Sequence, residues 1–182
     1  MKRFIKSIGI IAAILVILVI FYLFMPRVEG PAVSGNNGNA LQEGDTAPDF
    51  TATKVDGSTF KLSDHSDECV LINFWATWCG PCVGEMPAFQ KLNDDDIDGL
   101  EIICIDCQED EKTVDSFVKE NGYTFNIAYD TKGEICAKYP TRGIPYTLVV
   151  NKGKIVNIYV GAVDADTQYR EYKSAIDTCL GE

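Results

Sequence analysis

Residues 69–82 read Cys-Val-Leu-Ile-Asn-Phe-Trp-Ala-Thr-Trp-Cys-Gly-Pro-Cys. Cys69–Trp75 is a continuous apolar, β-rich run, the pattern of a strand buried on both faces of a parallel sheet. Trp78-Cys79-Gly80-Pro81-Cys82 follows directly and opens a helical stretch from Pro81 to Leu92. Two thiols in a first helical turn can close a small disulfide ring. The helix N-terminus supplies unpaired N–H groups and a partial positive charge. Both favour the thiolate of Cys79 and lower its pKa. Pro81 suits this turn, where its missing N–H is harmless. Cys82, a turn further in, is expected to be more buried. Cys79 is therefore expected to be the nucleophile, and Cys82 the thiol that resolves the mixed disulfide.

Working outward, Phe50–Thr53 and Thr59–Leu62 flank Asp56-Gly57 and predict a hairpin. Leu100–Asp106 reads as a second buried strand. Lys112–Asn121 carries Val114, Phe117 and Val118 on one helical face, and Gly122 ends it. A strand over Phe125–Tyr129 and a short helix over Lys132–Tyr139 follow. Tyr146–Asn151 and Lys154–Val160 pair across Lys152-Gly153. Asp166–Leu180 is a terminal amphipathic helix with Tyr169, Tyr172, Ile176 and Leu180 inward. Alternating strands and helices, closed by an antiparallel pair, predict an α/β fold: a mixed central sheet with helices on both faces.

The chain has 182 residues, 46% of them hydrophobic, and a net charge of −11. That apolar share excludes a disordered chain, and the length suits one domain with a real core. The acidic balance argues against a nucleic-acid partner, which needs a basic face. The basic residues Lys2, Arg3 and Lys6 stand apart at the N-terminus, before an uncharged, mostly aliphatic run of 18 residues from Ile8 to Met25. As a helix this run spans about 27 Å, close to a bilayer's hydrocarbon thickness. The positive-inside rule keeps the N-terminus cytoplasmic and sends the remainder across. The run is longer than a signal-peptide core and ends in bulky Phe21-Tyr22-Leu23-Phe24-Met25, so an uncleaved single-pass anchor is expected over 1–25. Residues 26–44 read as a Gly/Asn-rich linker and 45–182 as the domain.

Seven cysteines are present, an odd number, so at least one is unpaired within the chain or pairs between molecules. Cys104-Ile105-Asp106-Cys107 forms a second CxxC, which raises a four-cysteine zinc site. On a strand, however, these two side chains point to opposite faces, and no Gly or Pro makes a knuckle. No metal site is expected. Cys69 and Cys104 read as free core cysteines. Cys107 and Cys136 fall near the active-site end of the sheet, where a second disulfide is an open alternative. His65 reads as a solvated loop residue.

FWATWCGPC, with Gly143-Ile144-Pro145 before a later strand, resembles the thioredoxin superfamily. Gly44-Asp45-Thr46-Ala47-Pro48-Asp49-Phe50 before a hairpin is similar to membrane-anchored TlpA/ResA-type thiol-disulfide oxidoreductases and to peroxiredoxins, and Cys82-Val83-Gly84-Glu85-Met86-Pro87 resembles the TlpA/ResA pattern closely. The resemblance implies a thioredoxin-like fold with an N-terminal β-hairpin extension and an insertion before a cis-proline loop. It makes Ile144–Pro145 that loop, pairing with substrate backbone beside Trp78, Gly80 and Pro81. It gives Glu85 the proton-handling role that a buried Asp holds in plain thioredoxins, where this chain has Asn73. Pro87 matches a helix-kinking proline. The implied activity is reduction of protein disulfides by a monomer that needs no cofactor beyond Cys79–Cys82. A membrane electron donor re-reduces it, and cytochrome c maturation is one service of such proteins. A peroxiredoxin needs Thr three residues before its nucleophile, where Ala76 stands. A CxxC metal-binding or metallochaperone module is the other alternative, to which two thiolates without a nearby histidine are a poor fit.

Overall fold

The computed structural model describes residues 40–181. The expected anchor, and most of the expected linker, lie outside these residues. Among the described residues no helix is long and apolar enough to cross a membrane.

Seven strands form one mixed sheet: β1 (Thr51–Lys54), β2 (Thr59–Lys61), β3 (Cys69–Trp75), β4 (Leu100–Cys107), β5 (Asn126–Asp130), β6 (Tyr146–Asn151) and β7 (Lys154–Val160). Their spatial order is β2-β1-β5-β4-β3-β6-β7. β3, β4 and β5 run parallel, and the remaining pairs are antiparallel. All seven residues of β3 are buried, because β4 and β6 flank it and both faces are covered. The parallel pairs need crossovers. These are helices α1 (Gly80–Asp94) and α2 (Glu111–Asn121), while α3 (Ala165–Leu180) closes the chain. Asp110 caps α2 by accepting from Thr113 N–H, and Asp164 caps α3 by accepting from Thr167 N–H. Gly122 ends α2 at φ 70°, a left-handed conformation that costs glycine little.

The period-2 alternation of the strands sorts side chains into two layers. Met86, Phe89 and Leu92 of α1, Val114 of α2 and Tyr172 and Ile176 of α3 pack with Leu71, Trp75 and Cys104 on one face. Phe50, Phe60, Leu62, Cys107, Cys136, Tyr139 and Tyr146 pack with Ile72 and Phe74 on the other. The α-helices therefore do not divide between the faces as the sequence pattern suggested. Both crossovers step the same way along the sheet, so right-handed connections put α1 and α2 on one side. The second face is covered by the N-terminal segment, where Leu41 already packs against the core, and by two single-turn 3₁₀ helices, Leu62–His65 and Cys136–Lys138. The helix expected over Lys132–Tyr139 shrinks to that second turn. Gly133 at φ 71° and the anchoring of Ile135 and Cys136 N–H on Asp130 Oδ2 preclude a regular helix.

Two other expectations change. Cys69 is not a free core thiol: it forms a disulfide with Cys179, tying the start of β3 to the end of α3 with Cα atoms 6.0 Å apart. His65 is half-buried, stacks on Phe60 at 4.6 Å between ring centroids, and its Nδ1 lies 2.7 Å from Glu68 Oε2. The imidazole found an aromatic partner that the polar sequence of its loop did not suggest.

Candidate active site

Cys79 is the N-cap of α1, directly beyond the buried end of β3. Its Sγ accepts a hydrogen bond from Cys82 N–H at 3.3 Å, so one orphan donor of the first turn points at sulfur. Gly80 and Pro81 begin the helix, and Pro81 leaves no donor unsatisfied there. Cys79 and Cys82 are disulfide-bonded. Cys79 retains 6% exposure and Cys82 none, the asymmetry expected from their places in the turn. Trp78 is 54% exposed and forms an apolar rim, whereas Trp75 is fully buried.

The Ile144–Pro145 peptide bond is cis, and the Ile144 carbonyl oxygen lies 3.8 Å from Cys79 Sγ. The loop is shaped by Thr141 Oγ1 donating to the Gly143 carbonyl. The turn at Trp78, the first turn of α1 at Gly80 and Pro81, and the loop at Ile144 and Pro145 thus meet at Cys79. Thr77 is held by Glu109, whose carboxylate accepts from its N–H at 2.5 Å and its hydroxyl at 2.6 Å. This latch was not visible in the sequence, since 32 residues separate the partners.

Behind the disulfide lies a buried polar cluster. Strand register places Cys104, Asn73 and Thr147 side by side on β4, β3 and β6. Glu85, one helical turn beyond Cys82, reaches this row from α1. Asn73 Nδ2 donates to Glu85 Oε1 at 2.9 Å, and the Tyr172 hydroxyl donates to Oε2 at 2.9 Å. Asn73 and Tyr172 also reach Thr147 Oγ1. Burial pushes the Glu85 carboxyl up to about 7, against the two hydrogen bonds, which favour its charged form. Cys104 is free and fully buried. Burial, then the Glu85 charge, raises its thiol well above the ordinary range. Glu85 is thus a carboxyl poised to exchange a proton near neutral pH, three residues from Cys82 on one helix face. Tyr172 and Thr147 were missed as its partners. Tyr172 showed only as an inward residue of α3, with 87 residues between it and Glu85.

A second buried carboxyl, Asp106, ends beside Trp75 in the β3–β4 register. Its Oδ1 accepts from Glu109 N–H, and burial, then Glu109, raises it to about 8. Cys104 and Cys107 do lie in opposite layers, which disperses the four-cysteine cluster weighed from the sequence. Ligand atoms of His65, Glu68 and Glu101 lie within 4.8 Å of one another, remote in sequence from the dithiol.

The AhpC/TSA family model matches residues 43–158. The chain belongs to the AhpC/TSA family. Thioredoxin-like protein YneN of Bacillus subtilis is 39% identical over 127 residues, 68% of this chain and 74% of that protein. Thiol-disulfide oxidoreductase ResA of Oceanobacillus iheyensis is 39% identical over 129 residues, 68% and 67% of the two chains. The crystal structure of a putative thiol:disulfide interchange protein DsbE from Chlorobium tepidum superposes with a TM-score of 0.71 at 28% identity, over 78% of this chain and 99% of that one. StoA from Bacillus subtilis gives a TM-score of 0.61 at 26% identity, over 68% and 96%. The fold is thioredoxin-like, and the protein is a thiol-disulfide oxidoreductase of the ResA, DsbE and StoA type.

Proposed function

We propose that this enzyme is a membrane-tethered reductant of protein disulfides on the extracytoplasmic side, working through Cys79 and Cys82. The observation that carries the reading is Cys79 at the N-cap of α1, with the Cys82 N–H aimed at its sulfur and the Ile144 carbonyl beside it. In the reduced enzyme the Cys79 thiolate attacks one sulfur of a substrate disulfide, and the other leaves as a thiolate that takes a proton. Glu85 accepts the Cys82 proton, which its pKa of about 7 allows at neutral pH. Cys82 then attacks Cys79 Sγ. The second substrate sulfur is released, and the Cys79–Cys82 disulfide closes. The substrate loses a disulfide and gains two thiols, and the enzyme is left oxidised by two electrons.

Exposed Trp78 and the backbone at Gly80, Pro81, Ile144 and Pro145 offer an extended substrate segment an apolar rim and a carbonyl acceptor. Ile8–Met25 supports the tether. An anchored domain draws its electrons from a membrane donor. A pair of cysteines in an apocytochrome c, closed as a disulfide before haem attachment, fits the substrate class, and no nucleic acid suits the acidic chain. Full-length Cys82→Ala in membranes is expected to accumulate mixed disulfides at Cys79, released by dithiothreitol and identifiable by mass. Wild type should accelerate insulin reduction by dithiothreitol, and Cys79→Ser should not. Absence of both adducts and acceleration overturns the reading.

A further inference from the structure

Cys107 is the last residue of β4, and Cys136 opens the 3₁₀ turn after β5. Both are 4% exposed and sit among Phe74, Ile135 and Tyr139, in the layer opposite Cys79 and Cys82. Their sulfurs are 2.7 Å apart. Non-bonded heavy atoms rest at roughly 3.5–4.0 Å, and a disulfide closes at about 2.0 Å. Two cysteines that merely filled a core would not press together in this way.

The approach is imposed by the backbone. Cys107 pairs in register with Asp130 of β5. The Asp130 carboxylate in turn accepts from Ile135 and Cys136 N–H at 3.0 and 2.7 Å. One buried residue thus aligns the strand carrying the first thiol with the turn carrying the second. Gly133 packs so closely on Gln108 that an added Cβ would meet Gln108 Nε2 at 2.6 Å, which seats the turn against the strand end.

We propose that Cys107 and Cys136 are a second redox dithiol, closing reversibly to a disulfide that staples the 3₁₀ turn to the end of β4. Cys136 reacts first, because a single 3₁₀ turn opens locally more readily than a strand with neighbours on both sides. Its thiolate attacks an external disulfide and releases one thiol. Cys107 then attacks Cys136 Sγ and releases the second. Two thiol protons and two electrons leave the protein, one S–S bond forms, and one external disulfide becomes two thiols. The hydrogen bond with Cys107, then burial, and to a lesser degree the Asp130 charge disfavour the Cys136 thiolate, so the pair reacts slowly and does not compete with Cys79.

The test uses full-length Cys79→Ser/Cys82→Ser protein, so that failure of the active-site reading cannot be confused with failure here. The protein is equilibrated natively in mixtures of reduced and oxidised glutathione, quenched in acid, alkylated after unfolding and digested without reductant. As the mixture becomes oxidising, Cys107 and Cys136 should lose alkylation together, and one linked peptide lighter by two hydrogens should appear. Native return to reduced glutathione should reverse it. Cys136→Ser should leave Cys107 alkylatable throughout. If the double variant misfolds, the same peptide map on wild type reads this pair separately from Cys79–Cys82. Free thiols at 107 and 136 throughout, stable glutathione adducts, a link to Cys104, or a bond that reduces only after unfolding would each overturn the proposal.

Discussion

On the helical face of the sheet, a cysteine pair sits in the first turn of α1 with a backbone N–H directed at Cys79 sulfur. On the opposite face, a pair sits beside the Asp130 carboxylate, and Cys136 N–H is directed away from sulfur onto that carboxylate. The functional groups are the same, and the backbone N–H of each turn is aimed differently. A helix N-terminus stabilises a thiolate, whereas a neighbouring carboxylate opposes one. Cys79 borders exposed Trp78, while Cys136 is reached only by opening a turn. Reactivity therefore follows from partial charges and access around the sulfur, and counting cysteines would have ranked the two pairs equally.

The sharpest way to break this comparison is alkylation of the reduced native protein with iodoacetamide at neutral pH. Cys79 should react on the order of 100-fold faster than Cys136 or Cys107, since it combines thiolate character with access. Equal rates would mean that neither setting matters.

A smaller effect is expected at Glu85, the carboxyl behind the reactive pair. Glu85→Gln removes a negative charge that opposes thiolate formation. The apparent dithiol pKa, followed by thiolate absorbance, should fall by about one unit, or about 1.4 kcal/mol. The same variant should change the pH dependence of stability. Glu85 rises from 4.5 to about 7 on folding, so the native state holds its proton more tightly than the unfolded chain. The Glu85 contribution to wild-type stability should therefore be greatest below about 4.5 and decline as pH rises to about 7, by on the order of 3 kcal/mol. Urea unfolding of Glu85→Gln should show a flatter profile, with the slope that remains toward pH 8 shared by Asp106. Superimposed profiles would show that Glu85 does not ionise inside the fold.

The smallest effect belongs to Tyr172→Phe. It deletes one donor to the carboxylate at a cost of about 1 kcal/mol and should raise the Glu85 pKa further, visible as an alkaline shift in the pH profile of insulin reduction. An unchanged profile would assign Tyr172 to packing alone.

Local patterns were legible in the sequence. The unbroken apolar run of β3, the proline in the first turn of α1 and the Asp56-Gly57 hairpin each act within a few residues. Cys79 and Cys82 followed from their places in the first helical turn, and the proton-handling role of Glu85 came with the resemblance. Ile144–Pro145 followed only from resemblance. What stayed hidden acts at long range. The Cys69–Cys179 bond spans 110 residues, and the Glu85–Tyr172 hydrogen bond spans 87. The sheet face chosen by each helix depends on crossover handedness, and strand periodicity carries no trace of it.

The bond between Cys69 and Cys179 also gives the domain a topology of its own. From β3 to the end of α3, the polypeptide is a covalent loop, with the β1–β2 hairpin attached as a tail. A single protease cut in any exposed segment of that loop opens the circle without separating the pieces. The nicked protein should migrate as one chain until a reductant is added. Cys79, Cys82, Cys107 and Cys136 all lie within the circle, so one cut between any of them leaves both thiol pairs on the same covalent molecule.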